Sequence, residues 1–243
     1  KSYQEKKQQS SNRLGCFNCK VAEFDTNPQK APHLQGSLID LFGNPRQTNK
    51  PDRVNDSFLV FGTGLFIEKS IFNKIGKFNP NFFLYGEEVD LCWRLKTQGY
   101  LIMVTNDALL FHQGSGSFGD NRPHQIALML YGSFLCSLTN YQTMSLFLLL
   151  PIYLIYLILI GILLPFTRKL NFKYTQELLK VFGGLFKNYQ KIFRFRQQVQ
   201  KQRCQSDWQL RKYFSILPSI IYRIIATSNI LQSKPGSFKK VLK

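Results

Sequence analysis

Between Arg122 and Arg168 the chain carries no Asp, Glu, Lys or Arg, and inside that gap Leu146 to Phe166 is built almost wholly from Leu, Ile, Tyr, Phe and Pro. About 20 apolar residues suffice to cross the ~30 Å hydrocarbon core of a bilayer. The run therefore predicts a transmembrane or deeply re-entrant helix, with a buried core helix as the alternative. Pro151 falls near its start, where a missing N–H is tolerated or bends the helix, and Pro165 is read as its terminator. The run divides the chain into a front region 1–122, an apolar membrane-associated region 123–167 with its core span at 146–166, and a tail 168–243.

Charge follows the same division. The 243 residues hold 32 basic and 14 acidic side chains, a balance of +18. Residues 1–166 contribute 15 basic and 12 acidic groups, and residues 167–243 contribute 17 and 2, so +15 belongs to the tail. With 44% apolar and 14% aromatic residues, a disordered polyelectrolyte is excluded. Within the tail, Gln176 to Gln205 sets Leu178, Phe182, Leu185, Tyr189 and Ile192 at helical spacing among Lys180, Lys187, Lys191, Arg194 and Arg196. Such a basic amphipathic helix is expected to lie on anionic lipid, or else to pack as a solvated helix on its own domain. Phe214 to Leu231 is a second apolar stretch, interrupted by Arg223.

Arg168, Lys169 and Lys173 follow the apolar run directly, which places the tail in the cytoplasm by the positive-inside rule. A single crossing would then put the front region outside. The expected resolution is a cytoplasmic front region held at the inner leaflet by a re-entrant segment, or by Ile126–Tyr141 acting as a companion crossing. A front region that works on the outer face is the remaining option.

The front region reads as α/β. A β-branched and aromatic run (Phe58 to Ile67) precedes a short helix stopped by Gly76 and a loop rich in Asn, Pro and Phe. A helix from Glu87 to Thr97, stopped by Gly99, and a strand from Tyr100 to Val104 follow. Phe17 to Pro51, with Pro28, Pro32, Gly36, Gly43 and Pro45, is expected to be turns between short strands. Five scattered cysteines argue against a disulfide framework, and Cys16-x-x-Cys19 has no second ligand pair to complete a zinc site.

Acidic groups are few, so the cluster Glu87, Glu88, Asp90 in GEEVD is informative. On a helix Glu87, Asp90 and Arg94 share a face, and Glu88 points about 100° further round. Asp90 and Arg94 have the spacing of a helix ion pair, and carboxylates in a first turn also favour the helix dipole. One carboxylate can thus be fixed while another stays free for acid–base work. His112, in ALLFHQGSGS, could ligate a divalent metal, and the Gly-Ser run after it could approach a phosphate. His33 and His124 sit in polar, turn-like contexts.

From Phe61 to Ser117 the sequence resembles the later half of family 2 glycosyltransferases, in the rhamnosyltransferase-like branch. The features that carry the resemblance are Gly62 and Gly64, Gly76 with Phe78, and Phe82-Phe83-Leu84-Tyr85. Glu87 through Asp90 with Arg94, and His112 with Gly114 and Ser117, complete the series. GSLIDLFGNP within Leu14 to Pro45 extends it more weakly. The resemblance implies the acceptor-side half of a GT-A domain, with Glu88 at the place of the catalytic Asp and Glu87 in reserve. It further implies that Gly62, Thr63, Gly64, Tyr85, Asp90 and Arg94 line the substrate site and that His112 is a ligand to Mn or Mg. Partners would be a nucleotide-sugar donor, a glycan or polyprenyl-linked acceptor and anionic lipids. Asn79 stands where an Asp is usual. The chain contains no Asp-x-Asp, so the donor-binding half is expected upstream of residue 1, and the chain alone is expected to be inactive.

Two rival classes remain. A nucleic-acid-binding protein would account for the +18 and for RFRQQVQKQR, though not for the uncharged run, so no nucleic acid is expected. A non-catalytic basic membrane adaptor would share the apolar helix and the tail.

Overall fold

The computed structural model describes residues 14–23, 37–47, 56–112, 122–167 and 171–215. The Gly-Ser loop after His112, the Pro28–Gly36 turns, His33 and most of Phe214 to Leu231 lie outside the described residues. The architecture is mixed α/β, with two small three-stranded sheets and a helical second half.

In the first sheet, β1 (Leu14–Glu23) lies between β4 (Leu65–Ile67), antiparallel to it, and β5 (Leu101–His112), parallel to it. In the second, β2 (Ser37–Asp40) pairs antiparallel with β3 (Pro45–Gln47) and parallel with β6 (Phe214–Ser215). Ser57 and Phe58 join the sheets, the Ser57 N–H donating to Ile102 O and the Phe58 N–H to Ser37 O. Three expectations change here. Leu14 to Glu23 forms one long strand, because partners on both edges outweigh the weak strand propensity of its Gly, Cys and Asn. Of Phe58 to Ile67 only the last three residues join a ladder, because Gly64 at φ +79° turns the chain ahead of β4. β5 outruns the expected Val104, continuing past a bulge to His112.

Helix α1 (Lys69–Lys74) leads to the Asn79–Gly86 loop and to α2 (Glu87–Thr97), whose bounds match those read from the sequence. Every residue from Val89 to Thr97 is buried. Trp93 makes edge contacts with Phe58 and Tyr141, so α2 is the central element of the core. Helix α3 (Arg122–Asn140) covers it. The uncharged run is therefore two helices rather than one region. Leu128, Leu130, Phe134 and Leu135 of α3 are buried inside the protein, so Ile126–Tyr141 is a core helix and not a companion crossing.

Helix α4 (Thr143–Thr167) behaves differently, and among the described residues it is the one helix long and apolar enough to cross a membrane. Tyr153, Tyr156, Ile160 and Leu164 form its buried stripe, with Leu146, Leu149, Leu150 and Leu157 half-buried beside it, and Phe42 stacks on Tyr156 at 4.5 Å. Phe147, Ile155, Ile158 and Phe166 are exposed. Both prolines lie inside the helix, which continues two residues past Pro165. A proline this close to a C-terminus removes one ladder bond without ending the helix. Helix α5 (Lys173–Gln202) returns along the bundle, and α6 (Asp207–Leu210) opens with a Ser206–Gln209 capping box.

Candidate functional site

The N-terminus of α2 is built by backbone constraint. Tyr85 and Gly86 both adopt left-handed conformations, at φ 65° and 96°. Such a turn is open to Gly and costs ~1 kcal/mol or more for Tyr. It lies hard against α3: a Cβ placed on Gly132 would come 2.1 Å from Tyr85 O. Gln125 Nε2 donates to the Tyr85 hydroxyl at 2.7 Å, and the Cys136 thiol donates to Gly86 O at 3.2 Å. Burial pushes the Cys136 thiol well up, with Asp90, Glu88 and Glu87 adding to the effect, so it remains protonated.

The three carboxylates carried by this turn have separate fates. Asp90 is fully buried and fully engaged. Arg94 donates to Oδ2 through Nε at 2.9 Å and Nη2 at 2.8 Å, while Thr139 Oγ1 and Asn140 Nδ2 donate to Oδ1 at 3.1 and 2.8 Å. Arg94 spends its remaining donors on the carbonyls of Ile75 and Lys77, at 2.6 and 2.7 Å. Both residues were expected to line the substrate site. With their donors and acceptors turned inward, they instead lock α2 to α3 and to the turn after α1. Glu87 and Glu88 are the opposite case, each having an Oε2 that is buried and makes no hydrogen bond. Burial, reinforced by the Glu87 charge, raises the Glu88 carboxyl to about 7, against the pull of the Glu88 and Gly86 N–H groups.

The remaining expected residues sit apart from this turn. Gly62, Thr63 and Gly64 form the turn into β4, and a Cβ on Gly64 would meet Cys19 Sγ at 2.7 Å and Asn18 Oδ1 at 2.9 Å. Asn18 Nδ2 donates to Phe61 O at 2.7 Å, fixing that turn on β1. His112 is exposed at the end of β5, in register with Glu23 of β1. Among the described residues no three His, Cys, Asp or Glu side chains come together, so these residues do not by themselves make a divalent-metal centre. Cys16 and Cys19 are buried free thiols. Burial pushes both upward, and the neighbouring Cys92 adds to the shift of Cys16, which suits a core role rather than thiolate chemistry.

Sequence reasoning missed a groove of about 260 Å³ between the loop, α3 and α5. Asn81, Phe83, Leu128, Tyr131, Val181 and Asn188 contribute to its walls, combining apolar surface with polar ends. It adjoins the Tyr85–Gly86 turn, since Tyr131 precedes the Gly132 on which that turn rests. Thr139 and Asn140 were also missed, lying 49 and 50 residues from the Asp90 they hold. The one local signal was the small residue Gly132 within an apolar helix. No family model, no curated protein and no solved structure matches this chain.

Proposed function

We propose that this chain is the acceptor-side half of an inverting GT-A-type glycosyltransferase acting at the cytoplasmic face of a membrane. It moves a sugar from a nucleotide-sugar donor to a glycan or polyprenyl-linked acceptor. The observation that carries the reading is Glu88: a carboxyl raised to about 7, with one buried oxygen left without a hydrogen bond, on a turn held by α3. A base needs a pKa near the working pH and a free lone pair, and Glu88 has both. The Glu88 carboxylate takes the proton of the acceptor hydroxyl as that oxygen bonds to the anomeric carbon. The bond from that carbon to the diphosphate breaks, and its electron pair leaves with the nucleoside diphosphate. Glu87 beside it raises basicity by repulsion, and the groove of Asn81 and Tyr131 offers the acceptor a wall. The Gly62–Gly64 turn is assigned to the donor side, with transfer requiring a donor-binding half as well. A divalent ion, expected from the resemblance, would screen the charge of the leaving diphosphate.

The test is sugar transfer by membranes containing the complete protein. Glu88→Gln is expected to lower kcat at least 100-fold while membrane binding is retained. Undiminished transfer by both Glu88→Gln and Glu87→Gln would overturn the reading. Membrane binding with no transfer by any form would favour the basic adaptor, which the exposed faces of α4 and α5 equally support.

A further inference from the structure

A helix that crosses a bilayer must pass ~30 Å without charged company, and α4 does not. Helix α5 runs antiparallel beside it. Thr175 Oγ1 donates to Gly161 O at 2.7 Å near one end, and Arg196 Nη2 reaches Thr143 Oγ1 at 3.4 Å at the other. At 1.5 Å per residue those anchors lie roughly 31 Å apart on α5 and roughly 27 Å apart on α4. Between them α5 exposes Lys180, Lys187, Lys191 and Arg194. If α4 stood across the membrane, Lys180, Lys187 and Lys191 would sit at hydrocarbon depth, where charge is strongly disfavoured.

The surface of α5 has a second regularity. Phe172, Leu179, Phe186 and Phe193 recur every seven residues and are 58, 72, 83 and 57% exposed. A seven-residue step drifts only about 20° on a helix, so they form one stripe. Leu179 is one turn beyond Thr175, so the stripe runs on the flank of α5 next to α4. Each member is followed directly by a cation, Lys173, Lys180, Lys187 and Arg194, all exposed. An apolar stripe bordered by a row of cations fits a single leaflet, with rings among acyl chains and cations at anionic phosphates.

We infer that α4 does not cross the bilayer but lies with α5 in one anionic leaflet, its outer face and the Phe172–Phe193 stripe immersed together and both ends of α4 on the same side. This rests on the membrane association proposed above and adds its orientation. The test uses the full chain in sealed membrane vesicles of known sidedness, with Cys204→Ser as background, because Cys16, Cys19, Cys92 and Cys136 are buried. Thr143→Cys and Asn171→Cys place a thiol near each end of α4, at exposed positions off its apolar outer face. A membrane-impermeant maleimide is expected to label both from the same face to equal extent. Labelling from opposite faces would overturn the orientation and leave the membrane reading intact. Purified chain is also mixed with vesicles of two parts phosphatidylcholine to one of phosphatidylglycerol. Leu179→Ser with Phe186→Ser is expected to weaken co-sedimentation about tenfold or more with unchanged Tm. Unchanged binding by that variant would also overturn the orientation, whereas no binding by the parent chain would overturn the membrane reading itself.

Discussion

Asp90 and Glu88 stand two residues apart on one helix and differ by a methylene, yet their surroundings are opposite. Asp90 receives donors from Arg94, Thr139 and Asn140, from its own helix and the one above it. Glu88, in the first turn, faces another carboxylate and leaves an oxygen without a partner. A charge so fully partnered belongs to the framework, whereas a buried carboxylate left short of donors is a cost that the fold carries for another reason. The acidic motif is thus divided by labour: Asp90 positions the helix, and Glu88 remains available to a proton.

The contrast can be broken most forcefully at Asp90. Asp90→Ala leaves Arg94 buried without its counter-charge, and chemical denaturation in detergent is expected to show a loss of ~3–5 kcal/mol. A loss below ~1 kcal/mol would mean the network is ornamental. Glu88→Gln should move stability the other way. Raised from 4.5 to about 7, the folded carboxyl binds its proton more tightly than the unfolded one. It adds no cost below pH ~4.5, an increasing cost between there and ~7, and its full cost above ~7. The variant is therefore expected to gain up to ~3 kcal/mol at pH 8 and nothing at pH 4, read as the pH dependence of Tm. The smallest effect is at Lys77, whose carbonyl accepts from Arg94 while its own backbone sits at φ 61°. Lys77→Gly relieves that strain and loosens the unfolded chain, for a net gain of about 0.5 kcal/mol. A net loss would show that the exposed lysine side chain matters more than its backbone.

What the sequence made legible was local. GEEVD before an apolar period and Gly99 after it marked α2, and the Asp90–Arg94 spacing announced their ion pair. Burial of that pair was not legible, because Thr139, Asn140 and the carbonyl of Ile75 reach it across the fold. The strand at Leu14–Glu23 was hidden for a similar reason, its neighbours lying about 50 and 85 residues onward. Helices α3 and α4 looked alike because an uncharged stretch is equally suited to a protein interior or to lipid. Only packing tells them apart: α3 touches its neighbours on most sides, α4 along one stripe of Tyr, Ile and Leu.

The pairing of β2 with β6 has a consequence for the order of events during synthesis. Ile39 aligns with Phe214, about 175 residues later, so the second sheet gains its third strand only after the whole helical half has left the ribosome. Contacts so distant in the chain form slowly. Lys96 and Lys212, which both hold Asp56 with Tyr213, are likewise brought together only at that stage. The nascent chain thus presents its most apolar helix to the cell while the domain meant to carry it is still open. On the membrane association proposed above, attachment to lipid would precede completion of the fold, and the last strand would close a body already seated on its surface.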